Sequence, residues 1–190
     1  MEFDIKGVPS VHFDFYPSNY VLNNDPSLLI SNPYLTRNNI WEFKAGLNQD
    51  WPKALVERMI GIKLQSMPNV DKTKLTLVCP PASTKDANTR RFQFFSSSVS
   101  NHLNIQNGFD HIKILNEKSP KYPPSNATHT IWDMEQDLQF DADFFAGKDI
   151  ILFDDIVTTG DTMSAFIDKL KDLGANPVLC VSLLYTPKVY

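Results

Sequence analysis

Glycine is scarce in this 190-residue sequence, with seven in all, and cysteine scarcer still, with only Cys79 and Cys180. Two cysteines are too few for a disulfide framework. Both lie in apolar runs, so a buried, reduced pair in a cytoplasmic protein explains them better than a zinc site. No apolar run approaches the roughly 20 residues of a membrane-spanning helix. The start, Met1-Glu-Phe-Asp-Ile, lacks the basic and then apolar stretch of a secretory signal. Charge of one sign is also missing: 18 Lys and Arg stand against 22 Asp and Glu, a net −4, which argues against a broad grip on nucleic acid. There is no internal repeat, no G-x-x-x-x-G-K-[ST] and no G-x-G-x-x-G. The histidines His12, His102, His111 and His129 show no ligand spacing such as H-E-x-x-H.

What is present is an ordinary apolar content of 42% in a length that fits one domain with a sound core. Prolines at Pro80-Pro81 and between Pro120 and Pro124 punctuate loops. Residues 11–16 and 20–22 read as short strands and 28–30 as a third, so residues 1–40 are expected to form a small β-rich lobe. Residues 41–190 then read as an α/β domain. Asp50-Trp51-Pro52 opens a helix, with Pro suited to its first position and Leu55, Met59 and Ile62 as its apolar face. A strand over 74–79 stops at the two prolines. Phe92, Phe95, Val99 and Leu103 repeat at helical spacing in a helix ending near Gly108, and 111–115 is the next strand. From 116 to about 147 the chain turns polar and irregular, a length expected of a loop that moves over a site. Here Trp132 reads as an apolar anchor, and Asp137, Asp141 and Asp143 read as a solvated acidic stretch. A continuous apolar run makes 149–155 a strand covered on both faces. Met163, Phe166, Ile167, Leu170 and Leu173 give an amphipathic helix capped by Gly174, and 177–185 is the last strand. Alternating strands and helices predict a mostly parallel sheet flanked by helices. Ligands of such sheets bind beyond the carboxyl ends of the strands, where the loops 80–91 and 154–162 would meet.

The second of those loops carries the most chemistry. The strand delivers Asp154 and Asp155 to the sheet edge, and, with the strand ending there, both are expected to reach the crevice. Carboxylates accept hydrogen bonds from sugar hydroxyls and hold hard cations or their waters. Thr158-Thr159-Gly160-Asp161-Thr162 then turns into a helix start, where backbone N–H groups and threonine hydroxyls converge on an anion. Diol acceptors followed at once by a phosphate cradle describe a ribose 5-phosphate site. The bland alternative is a pair of surface acids followed by a helix capped by Thr159 or Asp161.

The string from Ile151 to Thr162 resembles the phosphoribosyl pyrophosphate motif of type I phosphoribosyltransferases. A looser similarity, from about Trp41 onward, is to the competence-protein F branch. It rests on Phe43-Lys44-Ala45-Gly46 before a helix, Cys79-Pro80-Pro81 after a strand, and Arg90-Arg91-Phe92 opening the next helix. Zinc-ribbon cysteines common in that branch are missing, and the 116–147 loop is less basic than usual there. The resemblance implies a type I phosphoribosyltransferase-like fold. It also implies that Ser83, Thr84, Lys85, Arg90 and Arg91 hold pyrophosphate, backbone amides and cations being what such a leaving group needs. Lys118 or Lys121 would close over the reacting centre from the mobile loop.

The expected activity is that of a cytoplasmic enzyme that binds phosphoribosyl pyrophosphate with Mg²⁺ and transfers the 5-phosphoribosyl group to a nitrogen acceptor. Asp154, Asp155 and Lys118 are the candidate catalytic groups, with the two acids also candidate Mg²⁺ ligands, directly or through water. Thr158, Thr159, Gly160, Asp161 and Thr162 would take the phosphate. A non-catalytic sensor of the same sugar phosphate, or an accessory protein, is the alternative. Threonine at 158 argues mildly against hypoxanthine–guanine acceptors, and a homodimer stays open.

Overall fold

The computed structural model describes residues 2–15, 33–67, 70–118 and 132–185. The short strands expected at 20–22 and 28–30, together with Lys121 and His129, lie outside the described residues.

The architecture is an α/β sheet, mostly parallel, with helices on both faces. Its centre is β7 (Asp149–Val157), whose Ile150, Ile151, Leu152 and Phe153 are all fully buried. A run apolar on both alternating faces belongs between two helical layers. On one side of β7 lies β3 (Leu75–Val78) and beyond it β4 (Gln106–Asn107). On the other side lies β8 (Asn176–Tyr185), then β2 (Val8–Phe15) and finally β1 (Glu2–Ile5). All neighbouring pairs run parallel except β1 and β2. These two form a hairpin whose two-residue turn, Lys6-Gly7, has positive φ at both positions (53° and 76°), the geometry that matches strand twist. The strand expected at 11–16 is therefore part of β2, and it joins the main sheet along β8.

One face of the sheet is covered by α1 (Pro33–Lys44), α2 (Asp50–Gln65) and α4 (Phe94–Leu103), packed over Ile151, Phe153, Leu179 and Val181. Between β3 and α4 come a single turn, α3 (Lys85–Asn88), and a π-helical segment at Thr89–Gln93. The opposite face takes α6 (Asp161–Asp172), whose Met163, Phe166, Ile167 and Leu170 are buried as expected from their spacing. Gly174 follows it with φ 79°, and Ala175 N–H donates back to the Leu170 carbonyl, closing the helix.

Three sequence expectations need correction. The buried stripe of α2 is Pro52, Val56, Ile60 and Leu64, while Ile62 is 57% exposed. Leu55 and Met59 are only partly buried, at the margin of the core. Both stripes have helical spacing, and only the docking against β8 and α4 selects one. Ile60→Ala should accordingly cost about 3 kcal/mol and Ile62→Ala less than about 0.5. Urea denaturation of the two variants checks this, and equal losses would contradict the stripe.

The strand expected at 111–115 is β5 (Ile112–Ile114), but it stands outside the main sheet, paired antiparallel with β6 (Leu138–Phe140). The place beside β3 is taken by β4, after a helix that stops early at Leu103 with Asn104 in the left-handed region. The segment 116–147 is not irregular throughout, because it contains β6 and the short α5 (Ala142–Phe145). Asp137 in it is buried rather than solvated, and Asp141 caps α5 while bonding His111 Nδ1 at 2.9 Å.

Candidate functional site

Strand order fixes where a ligand can sit. From β3 the chain crosses over one face to β4 on its outer side; from β7 it crosses over the other face to β8. The order reverses between β3 and β7, and sheets of this kind bind ligands at the carboxyl ends beside such a switch. The two loops expected to meet there do so. Both acids act electrostatically on Cys79 at the end of β3, and burial together with them holds its thiol well above the usual range. Both cysteines are unpaired and buried, and burial pushes Cys180 up to about 11.

β7 does not end at Asp155. It continues to Val157, still in register with β8 through Val157 and Tyr185, so side-chain alternation persists through both acids. Asp155 is 3% exposed and turns to the face of α1 and α4. There its Oδ1 lies 3.5 Å from Lys44 Nζ and its Oδ2 3.2 Å from Arg91 Nη1. Asp154 is partly buried, and its Oδ1 accepts the Asp155 N–H at 2.9 Å. Burial, and then the charge of Asp155, push its carboxyl up to about 7, against the opposing pull of Lys44 and Arg91. In the strand register Asp154 stands beside Ser182 of β8, which stands beside His12 of β2, and both neighbours are buried. These three residues form a polar row across adjacent strands, three residues before β7, β8 and β2 end. His12 was readable only as a strand residue, because its neighbours come from the other end of the chain.

Beyond Val157, Thr158 and Thr159 are exposed and Gly160 has φ 80°, which only glycine adopts readily. Gly160 is itself the N-cap of α6, and no side chain caps the helix. Thr159 donates its hydroxyl to Asp161 and receives the Asp161 N–H at 3.4 Å, so neither caps in the ordinary sense. The first amide of this twelve-residue helix thus meets only the Thr159 hydroxyl, and the N-cap residue offers no side-chain acceptor to the next.

The loop after β3 is pinned from below by buried Asn88, whose Oδ1 accepts the Ala82 N–H at 3.0 Å. Thr84 caps α3 with its hydroxyl, and Ser83 offers its carbonyl to the Lys118 N–H at 2.8 Å. The Glu117 carboxylate accepts the Lys85 N–H at 2.9 Å, an anionic oxygen on an amide at a helix start. The Lys85 side chain is exposed, and Arg90 pairs with Asp86 at the surface. Of Lys85, Arg90 and Arg91, only Arg91 turns inward, to Asp155. Lys118 ion-pairs with Asp137 and lies 5.7 Å from the Trp132 ring centre. The hydrogen bond from Lys118 holds the Asp137 carboxyl below its ordinary range. Trp132 packs against the apolar core under α6, the apolar anchor expected, and its Nε1 also donates to the Pro81 carbonyl at 3.3 Å.

Lys44 is the group that sequence reasoning missed. It was visible in the Phe43-Lys44-Ala45-Gly46 string, but nothing there pointed to an acid on β7. A separate surface hollow of about 410 Å³ between β6 and α6 is lined by Leu115, Leu138 and Phe140, and its Lys169 is already paired with Glu135. Among the described residues no cluster of three or more His, Cys, Asp or Glu could hold a metal, and no helix is long and apolar enough to cross a membrane.

No family model matches the chain, and no curated protein matches it. Among solved structures it is similar to the purine phosphoribosyltransferase from Pyrococcus horikoshii Ot3, at 16% identity over 73% of this chain and 86% of that one, with a TM-score of 0.35. So loose an overlap adds nothing to what the strand order already shows.

Proposed function

We propose that the protein binds phosphoribosyl pyrophosphate and transfers its 5-phosphoribosyl group to a nitrogen acceptor, releasing pyrophosphate. The observation that carries this is the meeting of two helix-start loops across the switch point, with Asp154 between them. The uncapped α6 start, with Thr158 to Thr162, takes the 5-phosphate. Asp154 takes the ribose hydroxyls. The Ser83 to Lys85 loop takes the pyrophosphate, and its Lys85 N–H donates to an anionic oxygen of Glu117.

A Mg²⁺ ion fits this arrangement through Asp154, because such ions draw most of their ligands from water and substrate phosphates. It would neutralise the leaving pyrophosphate. In this reading Asp155, enclosed by two cations, does not hold the metal. The chain itself supplies orientation and anion binding, so catalysis is mainly positioning and electrostatics.

A second reading, a sensor that binds without turnover, is favoured by one observation: Lys118 is held by Asp137 rather than presented to the crevice. Incubation with Mg²⁺, phosphoribosyl pyrophosphate and a panel of bases separates the two. Pyrophosphate release that depends on one base is the expected result; tight binding without release would establish the sensor. If Asp154→Asn combined with Asp155→Asn left ribose 5-phosphate affinity unchanged, the site itself would be misplaced.

A further inference from the structure

The string Phe43-Lys44-Ala45-Gly46 and the string Arg90-Arg91-Phe92 are one structural unit. Phe43 is fully buried, with its ring 6.0 Å from Phe92, 5.1 Å from Phe95 and 6.2 Å from Phe153. Gly46, at φ 78°, passes so close to the π-helical segment that a Cβ there would lie 2.7 Å from the Arg90 carbonyl oxygen. Gln49 then spans the same segment, donating from Nε2 to the carbonyls of Arg90 (2.9 Å) and Arg91 (3.2 Å). These contacts fix the end of α1 against the helix start that follows the β3 loop. They place Lys44 and Arg91 on either side of Asp155.

Asp155 is in ion-pair contact with both cations, whereas Asp154 acts on them only through space. The Asp155 carboxylate is closed off, with 4% of its side chain exposed, whereas Lys44 keeps 30% and Arg91 19%. The exposed part of this cluster is therefore cationic, on the face of the sheet where the β3 loop enters its helix. Enclosing a carboxylate between two cations holds both in place before a ligand arrives, which lowers the ordering cost of binding. An arginine and a lysine so arranged offer two fixed positive charges to a phosphoryl anion.

We propose that Lys44 and Arg91, held by Asp155 as their shared counter-ion, form an anion subsite that takes the pyrophosphate end of the ligand, with Lys44 a binding residue contributed from the end of α1. This rests on the proposed phosphoribosyl pyrophosphate reading and assigns to Asp155 the part of an anchor for the cations.

The test is calorimetric titration of the full chain with inorganic pyrophosphate and, separately, with ribose 5-phosphate. Lys44→Met keeps the aliphatic stem and deletes the charge; it should weaken pyrophosphate binding about tenfold or more and leave ribose 5-phosphate within about twofold. Lys44→Arg should restore most of the loss. If Lys44→Met fails to fold, Lys44→Gln, which retains a donor toward Asp155, is read in the same way. Pyrophosphate affinity within twofold of the parent protein overturns the subsite, as does an equal loss for both ligands, which would mark a structural role only. A parent protein that does not bind pyrophosphate overturns it too. Pyrophosphate binding lost in Lys44→Met, in a protein that never binds ribose 5-phosphate, upholds the subsite and removes the phosphoribosyl reading instead.

Discussion

Asp154→Asn is expected to make the protein more stable and less able to hold a sugar phosphate. The carboxyl of Asp154 is pushed up to about 7 by burial and by the charge of Asp155 beside it. Its folded-state value therefore lies above the ordinary 3.8, so between about pH 4 and pH 7 the folded protein binds more protons than the unfolded chain. Stability falls as pH rises through that window, and the whole penalty is present above pH 7. A shift of this size is worth roughly 4 kcal/mol for a fully enclosed group. Asp154 is only partly enclosed, and water lowers the expectation to about 2 kcal/mol. The amide keeps the size and can still accept the Asp155 N–H, so the variant should gain that amount at pH 8 and little at pH 4. Chemical denaturation at the two pH values measures it. Ribose 5-phosphate affinity should fall by about 10- to 100-fold, the worth of hydrogen bonds to a charged acceptor. A variant that gains stability and keeps its affinity would leave the strained acid without a function; one that gains nothing would mean that the acid is not strained at all.

How far this was legible in the sequence depended on whether the cause was local. The α6 face, the turn at Gly160 and the cap at Gly174 follow from residues within one or two turns, and all were readable. So was the meeting of the two loops, because alternating strands and helices leave few ways to order a sheet. The α2 stripe was not, since Leu55 and Val56 begin equally good apolar faces and only the neighbour decides. Nor was the reach of β7: Ile156 and Val157 are strand residues because Leu184 and Tyr185 pair with them. That pairing is what divides Asp154 from Asp155, and no property of the string Asp-Asp announces it. Asp137 looked like one of several solvated acids, and its burial comes from the turn at 133–137 and from Lys118. The polar row of Asp154, Ser182 and His12 draws on three strands from both ends of the chain, and pairing of that kind has no local signature.

Asp155→Asn, one residue along, should have the opposite effect on stability. The acid is 3% exposed, and each of its oxygens lies near one cation, Lys44 at 3.5 Å and Arg91 at 3.2 Å. An amide fills the same volume but neutralises neither, leaving two partly buried cations facing each other. Removing one member of a buried ion cluster typically costs about 3 kcal/mol, because the partners stay desolvated. In a domain of this size that is a fall in melting temperature of roughly 6–12 °C. The damage should be directional. The end of α1 and the segment at 89–93 are joined through this acid, so their amides should exchange faster, while those of α6, on the other face, should not. Adding Lys44→Met to Asp155→Asn removes one of the stranded cations and should recover about 1 kcal/mol, so the two changes together cost less than their sum. Two adjacent carboxylates, replaced by the same amide, would then move stability in opposite directions at pH 8. If both variants shifted it the same way, the separation of the acids onto two faces of the sheet would be wrong, and with it the division of labour between ribose and anion sites.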